Sequence, residues 1–296
     1  SEGLVIGVAV QNPLSVAVRV SMLKLRIFTA LALATTFLLC LHYLSAHMFV
    51  VLLVPVFLLA GWEWSNLAGL QSAQSKALYL LMLFLSLAAA GSSVNFFAEI
   101  NLEVGIQLMV AALGLWLLNF VFLWRYPTAS AIWSRPLLLA LNGLLLLVFT
   151  WLAVVLILAQ ANGTVFLLLG IGVIVFADVG GYFGGKTFGR RQLAPQVSPG
   201  KTREGFACGI AIQIPIFIFL VQSPALAMPA ETAALLVFPV ALISVFGDLF
   251  ESMLKRSSGL KDSSRLLPGH GGLLDRIDGV MAGLPLFALV LLTRPL

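Results

Sequence analysis

The residues able to do chemistry are concentrated between Ser252 and Gly279, in SMLKRSSGLKDSSRLLPGHGGLLDRIDG. Lys255, Arg256, Lys261 and Arg265 come first, followed by a Pro-Gly-His-Gly-Gly turn from Pro268 to Gly272. Asp275, Arg276 and Asp278 then stand at the head of an apolar run. In a chain that is 60% hydrophobic and only 10% charged, such a concentration of charge needs a reason. Lysine and arginine suit phosphate oxygens, lysine as a mobile point charge and arginine as a two-pronged donor. Consecutive glycines let backbone N–H groups come close to an anion. Asp275 and Asp278 are three apart, so on a helix they share a face and can hold one hard cation or a pair. Cations, a close-approach backbone and a carboxylate face together describe nucleotide chemistry.

Two further polar segments belong to the same argument. Asp178, in VFADVGGYFGGKTFGRR, lies within or near the end of an apolar span, where a carboxylate is costly unless paired or facing a wet cavity. It reads either as half of a structural ion pair or as part of a cavity mouth. Lys186, Arg190 and Arg191 follow it, and the two arginines serve equally well as topology determinants. In VSPGKTREG, Ser198-Pro199-Gly200 reads as a turn, with Lys201 and Arg203 cationic beyond it. The Gly-Lys-Thr there is no phosphate-binding P-loop, because Pro195 stands where the first glycine should be and no strand of a soluble domain precedes it. Asp248 and Ser252 are four apart and share a helix face. Asp275 and Asp278 could simply stabilise a helix N-terminus, but Asp248 is expected at a C-terminal end, where negative charge is unfavourable and a bound cation would relieve it. His270 suits phosphate contact or loop structure better than ligation of a hard, oxygen-seeking cation.

The whole segment resembles the signature of the phosphatidate cytidylyltransferases. That pattern is met by Ser252, Lys255-Arg256, Lys261-Asp262, Ser264, Pro268, His270-Gly271-Gly272 and Asp275-Arg276-Ile277-Asp278, without a departure. The resemblance runs over roughly residues 170–280 and includes the Ser198-Pro199-Gly200-Lys201-Thr202 segment; upstream it is one of style, in apolar spans and a Trp62-Glu63-Trp64 step. It implies transfer of a cytidylyl group from CTP to phosphatidate, with Mg2+ held by Asp248, Asp275 and Asp278. A second, monovalent cation is left open. Lys255, Arg256, Lys261 and Arg276 become phosphate-facing catalytic cations, and His270, Gly271 and Gly272 the anion-binding turn. Asp178, Lys186, Ser198, Lys201 and Ser252 complete the substrate-binding set. The resemblance also suggests a homodimer.

The elements that must position these residues are membrane helices. The chain of 296 residues has a mean hydropathy of +1.06 and recurrent long apolar runs, each enough to cross a hydrocarbon core of ~30 Å. Backbone polar groups there are satisfied only in helices or closed barrels, and unbroken runs select helices. The expected fold is all-α and polytopic, with about nine spans near 25–44, 47–64, 77–97, 104–124, 137–160, 164–183, 205–222, 231–250 and 273–293. With a cytoplasmic N-terminus, alternation leaves only Arg294 outside, so 16 of the 17 lysines and arginines lie inside. Residues 1–21 are expected to be an extension or expression remnant ahead of Met22, with no basic segment suited to a secretory signal. Residues 22–160 form an N-terminal helical region, and 161–296 a catalytic region with cytoplasmic loops at 184–204 and 251–272. The glycines between Gly170 and Gly185 suit close helix packing.

The net charge of +5 then reflects topology and contact with anionic lipid and nucleotide, and not nucleic-acid binding. The membrane is expected to be a bacterial inner membrane, with phosphatidate entering from its cytoplasmic leaflet. A transporter would relay ions through Asp178 and Asp248, but the polar residues collect on one side and no inverted repeat is visible. A CTP-dependent polyprenol kinase fits less well and would release CDP. A CDP-alcohol phosphatidyltransferase fails because no arginine follows Asp278-Gly279 at the required spacing.

Overall fold

The computed structural model describes residues 13–128, 130–224, 226 and 228–294. The helices are α1 (Pro13–Tyr43), α2 (Ala46–Leu67), α3 (Ala73–Ser93), α4 (Leu102–Trp124), the single turn α5 (Ser130–Trp133) and α6 (Pro136–Leu158). After α7 (Gly163–Phe188) comes a hairpin of β1 (Gln192–Ala194) and β2 (Ser198–Thr202), and then α8 (Arg203–Ala211), α9 (Gln213–Gln222), α10 (Ala230–Ser257) and α11 (Leu274–Thr293). Eight helical segments are long and apolar enough to cross a membrane, with α8 and α9 counting as one; the described apolar part of α1, Ile27–Tyr43, is shorter. The chain is therefore an all-α polytopic membrane protein. Of the expected N-terminal extension, residues 1–12 lie outside the described residues, and the remainder falls in α1.

The architecture centres on α6 and α11. Helix α6 is buried along nearly its whole length, and α11 packs against α10, α6, α4 and α7. Buried polar groups join the helices where lipid would leave them unpaired. Trp116 Nε1 donates to the Met281 carbonyl, Trp64 Nε1 to Leu139, and Asn119 and Asn142 exchange reciprocal amide hydrogen bonds.

The hairpin and the seventh span differ from what the sequence suggested. Ser198-Pro199-Gly200 is not a turn but part of β2; the chain reverses at Pro195 to Val197, where Val197 N–H bonds to the Ala194 carbonyl. The seventh span is divided near Ile212, because Pro215 has no N–H to offer the carbonyl four residues back. Beside this break, Gln213 Nε2 donates to the Gly209 and Val173 carbonyls and ties the helix to α7. The expected small-residue packing is present, since an added Cβ on Gly205 would lie 2.6 Å from the Gly181 carbonyl oxygen and one on Gly209 equally near that of Ala177.

Polar contacts sort to two ends as alternating spans require. Ser258 Oγ reaches the Leu67 carbonyl at the end of α2, and Arg256 Nε reaches Val197 in the hairpin, at one end. His47 bonds to Phe96, and Arg294 pairs with Glu231, at the other.

Candidate active site

Helix α10 continues to Ser257, seven residues past the expected end of that span. Asp248 therefore sits in the helix interior, and the helix-dipole penalty anticipated for it does not apply. Gly247 beside it lets α10 and α11 touch: an added Cβ would collide with the Asp278 carbonyl oxygen and lie 2.9 Å from Ala282 Cβ. This backbone contact sets Asp248 and Asp278 at one cavity. Gly247→Val should drive the two helices apart and lower turnover and thermal midpoint together, read by product formation and tryptophan fluorescence of the detergent-solubilised protein.

The cavity has a volume of about 570 Å³ and is bounded by α7, β2, α8, α10 and α11. Asp178 and Lys186 enter from α7, Lys201 from β2, Asp248 and Lys255 from α10, and Asp275, Arg276 and Asp278 from α11. Ala177, Tyr182, Phe206 and Val245 add apolar wall. Lys201 Nζ lies 2.5 Å from Asp248 Oδ2, and Ser252 Oγ donates to Asp248 Oδ1 at 3.3 Å. Asp178, Asp248 and Asp278 are within electrostatic reach of one another.

Asp275 has a different environment. Its Oδ1 takes Lys255 Nζ at 2.5 Å, while Oδ2 accepts from Ser263 N–H, Ser263 Oγ and Gly272 N–H at 3.0, 3.0 and 2.8 Å. A carboxylate oxygen has about two lone-pair sites, so the two backbone N–H groups fill Oδ2 and Oδ1 keeps one site beside Lys255. By the same count Asp248 uses two, Asp278 uses one through Gly279 N–H, and Asp178 uses none among the described residues. Lys255 also contacts the buried Glu251 at 2.7 Å, so its ammonium is held between two carboxylates.

A second cavity, of about 720 Å³, lies over the loop from Lys261 to Gly271 and shares Asp262 and Arg276 with the first. Lys261, Arg265 and His270 line it. Lys261 and Arg265 have no side-chain partner among the described residues, and His270 Nδ1 is buried without one. Arg276 donates to the His270 carbonyl at 2.9 Å, and Gly269 and Gly271 adopt φ of +77° and +86°, which shape the turn.

The structure thus brings Asp178, Lys186, Lys201, Asp248, Lys255, Asp275, Arg276 and Asp278 to one cavity, and Lys261, His270 and Gly271 to the adjoining one. It does not bring Arg256, Ser198 or Ser252 to either: Arg256 ties α10 to the hairpin, Ser198 pairs with Ala194, and Ser252 meets the first cavity only through Asp248. Gly272 is buried beneath the loop, where an added Cβ would overlap Ser263 Oγ. Two residues outside the expected set are also engaged. Glu204 accepts from the Arg190 and Arg191 N–H groups, fastening the hairpin to α8, and Glu63 reaches under the signature loop from α2. A carboxylate between two tryptophans at the end of an apolar span was the available signal for Glu63.

A bundle of membrane helices enclosing a cavity of carboxylates and ammonium groups defines a membrane-embedded enzyme acting on phosphorylated substrates. The profile of the Cytidylyltransferase family matches residues 24–293, and the chain belongs to that family. It is 39% identical over 279 residues to a phosphatidate cytidylyltransferase of Pseudomonas aeruginosa, covering 91% of this chain and 97% of that protein. It is 36% identical over 283 residues to one from Haemophilus influenzae, covering 90% and 98% respectively. A Helicobacter pylori protein of the same name is 43% identical over 121 residues, 41% of this chain and 45% of that protein.

Proposed function

We propose that this chain transfers the cytidylyl group of CTP to phosphatidate, forming CDP-diacylglycerol and releasing pyrophosphate. The observation that carries the reading is a cavity of carboxylates and cations set among apolar helices, in a chain of this family. A phosphate monoester has a second pKa near ~6, so at neutral pH the lipid nucleophile is already largely ionised and needs no strong base. An oxygen of the phosphatidate phosphate attacks the α-phosphorus of CTP, the bond to the β-phosphate oxygen breaks, and pyrophosphate leaves. The difficulty is the approach of two polyanions. Lys201, Lys255 and Arg276 offset that charge within the cavity, with Lys261 and His270 alongside for the nucleotide's outer phosphates.

Mg2+ is the cation that suits this donor set. All the carboxylates offer oxygen, and among the described residues no group of three or more acidic, His or Cys side chains is arranged to hold a metal ion, which leaves a pair of carboxylates. Mg2+ usually takes one or two carboxylates and completes its shell with water and substrate phosphates. Asp248 and Asp278 would hold it, with Asp178 near and Asp275 fixing the geometry through Lys255 and the loop. When bound, it would neutralise charge on the phosphate oxygens.

The same reading puts the site on the cytoplasmic side of a bacterial inner membrane, which the distribution of lysine and arginine favours. Phosphatidate then enters sideways from the adjacent leaflet. Assembly as a homodimer belongs to the reading and is checked by the mass of the detergent-solubilised protein.

Purified protein given CTP, phosphatidate and Mg2+ should release pyrophosphate and accumulate the liponucleotide. EDTA should arrest this, and added Mg2+ should restore it. Release of CDP would indicate a kinase, and directional ion flux without nucleotide a transporter.

A further inference from the structure

The signature loop is anchored from the opposite half of the chain by one side chain. Glu63, near the end of α2, is wholly buried, accepts three hydrogen bonds and shares the Ser263 hydroxyl with Asp275. Ser264 Oγ and Leu273 N–H donate to Oε1 at 2.5 and 2.9 Å, Leu274 N–H donates to Oε2 at 2.7 Å, and Ser263 Oγ lies 3.1 Å from Oε2, its one proton shared between Glu63 and Asp275. No lysine or arginine pairs with it among the described residues. The carboxylate is compensated instead by two hydroxyls and by the first N–H groups of α11, where the helix presents its positive end.

We propose that Glu63 is a positioning residue for the reaction, setting where the signature loop and the start of α11 lie relative to α10. It lines neither of these two cavities, so its effect on the reaction is indirect. Its influence passes through Ser263, whose Oγ lies 3.1 Å from Glu63 Oε2 and 3.0 Å from Asp275 Oδ2. From Asp275 the contacts continue to Lys255 Nζ in the cavity wall. Gly272 leaves room for this arrangement, because an added Cβ would lie 2.8 Å from both Glu63 oxygens. A loop held in this way keeps Lys255, Arg276 and Asp278 in fixed relation before substrate arrives.

The test compares wild type with Glu63→Gln, Glu63→Asp and Ser264→Ala. Glutamine keeps the size of the side chain but turns an NH2 group toward backbone donors. It should lower kcat by roughly 10–100-fold, the scale of an ångström-level misplacement of catalytic groups. The KM for phosphatidate should stay within about threefold, because no substrate contact is lost, and any fall in thermal midpoint should come with a loosening confined to the loop. Amide exchange should accelerate in residues 263–274 and stay unchanged in α7. Aspartate, which keeps both oxygens, should recover part of kcat. Ser264→Ala removes one donor and should cause a smaller loss of kcat in the same pattern, which keeps the test available should Glu63→Gln fail to fold.

Turnover within twofold of wild type in Glu63→Gln overturns the proposal. So does a loss that follows a general drop in thermal midpoint with faster exchange throughout the chain. The inference uses cytidylyl transfer only as its readout: an inactive wild type would defeat that reading, whereas an active wild type with equally active variants defeats this one alone.

Discussion

Asp278→Asn is expected to abolish turnover while leaving the protein as stable as wild type, or more so. Burial and the neighbouring Asp248, Glu251 and Asp178 carboxylates all disfavour a negative charge at this position, so a neutral amide suits the fold at least as well. Asparagine retains Oδ1, which can still accept from Gly279 N–H. Stability therefore holds while the site loses an oxygen that has no donor of its own and faces the cavity. Removal of one preorganised electrostatic contact typically costs on the order of 10²–10³ in rate, and loss of the proposed metal ligand should reach at least the upper end. Asp275→Asn should behave differently. It breaks into four hydrogen bonds, so turnover and thermal midpoint should fall together. Pyrophosphate release and tryptophan fluorescence on the two variants make the comparison. Near wild-type turnover in Asp278→Asn would remove that residue from the metal site, and equal stability losses would erase the distinction between ligand and scaffold.

This division between carboxylates could not be read from spacing. Asp275 and Asp278 share a helix face in the sequence, and both do reach the same cavity. What separates them is the path of the loop at Ser263 and Gly272, which delivers donors to one and none to the other. Hydrogen-bond partners twelve residues away leave no periodic trace. Hydropathy, by contrast, marks membrane helices directly, since the backbone in lipid has so few alternatives. The spans found there match the helices to within several residues, except where α1 begins at Pro13, well before the expected residue 25, where α10 runs on to Ser257 and where Pro215 divides the seventh.

The hairpin and Glu63 show the remaining limit. Gln192 to Thr202 contains Pro195, Pro199 and Gly200, which read as turn chemistry, and only pairing across Ala194 and Ser198 makes strands of its ends. Glu63 is more than 190 residues from the loop it holds, at |i−j| of 200 to 211. A buried acid in an apolar helix announces that a partner exists, but not which one. Arg256 illustrates the converse: its place in a basic cluster suggested phosphate contact, yet its guanidinium turns to the Val197 carbonyl and steadies the hairpin that carries Lys201.

Lys255→Met should be the most destabilising single change in the site. The ammonium lies 2.7 Å from Glu251 and 2.5 Å from Asp275, and these side chains are only 1% and 8% exposed. Methionine fills similar space but strands both carboxylates, and removing one partner of a buried ion pair costs roughly 3–5 kcal/mol. Glu251 has the greater need, because its Oε1 already lacks a partner among the described residues. Adding Glu251→Gln to Lys255→Met should therefore recover much of the lost thermal midpoint, since a neutral amide no longer requires a counter-ion. Turnover should not return with it, because Lys255 also lines the cavity where phosphate charge must be offset. The double variant would thus be folded and inactive, separating the lysine's two roles. Should Lys255→Met alone melt at the wild-type temperature, water or other cations must reach Glu251, and the buried triad is not what holds α10 against α11.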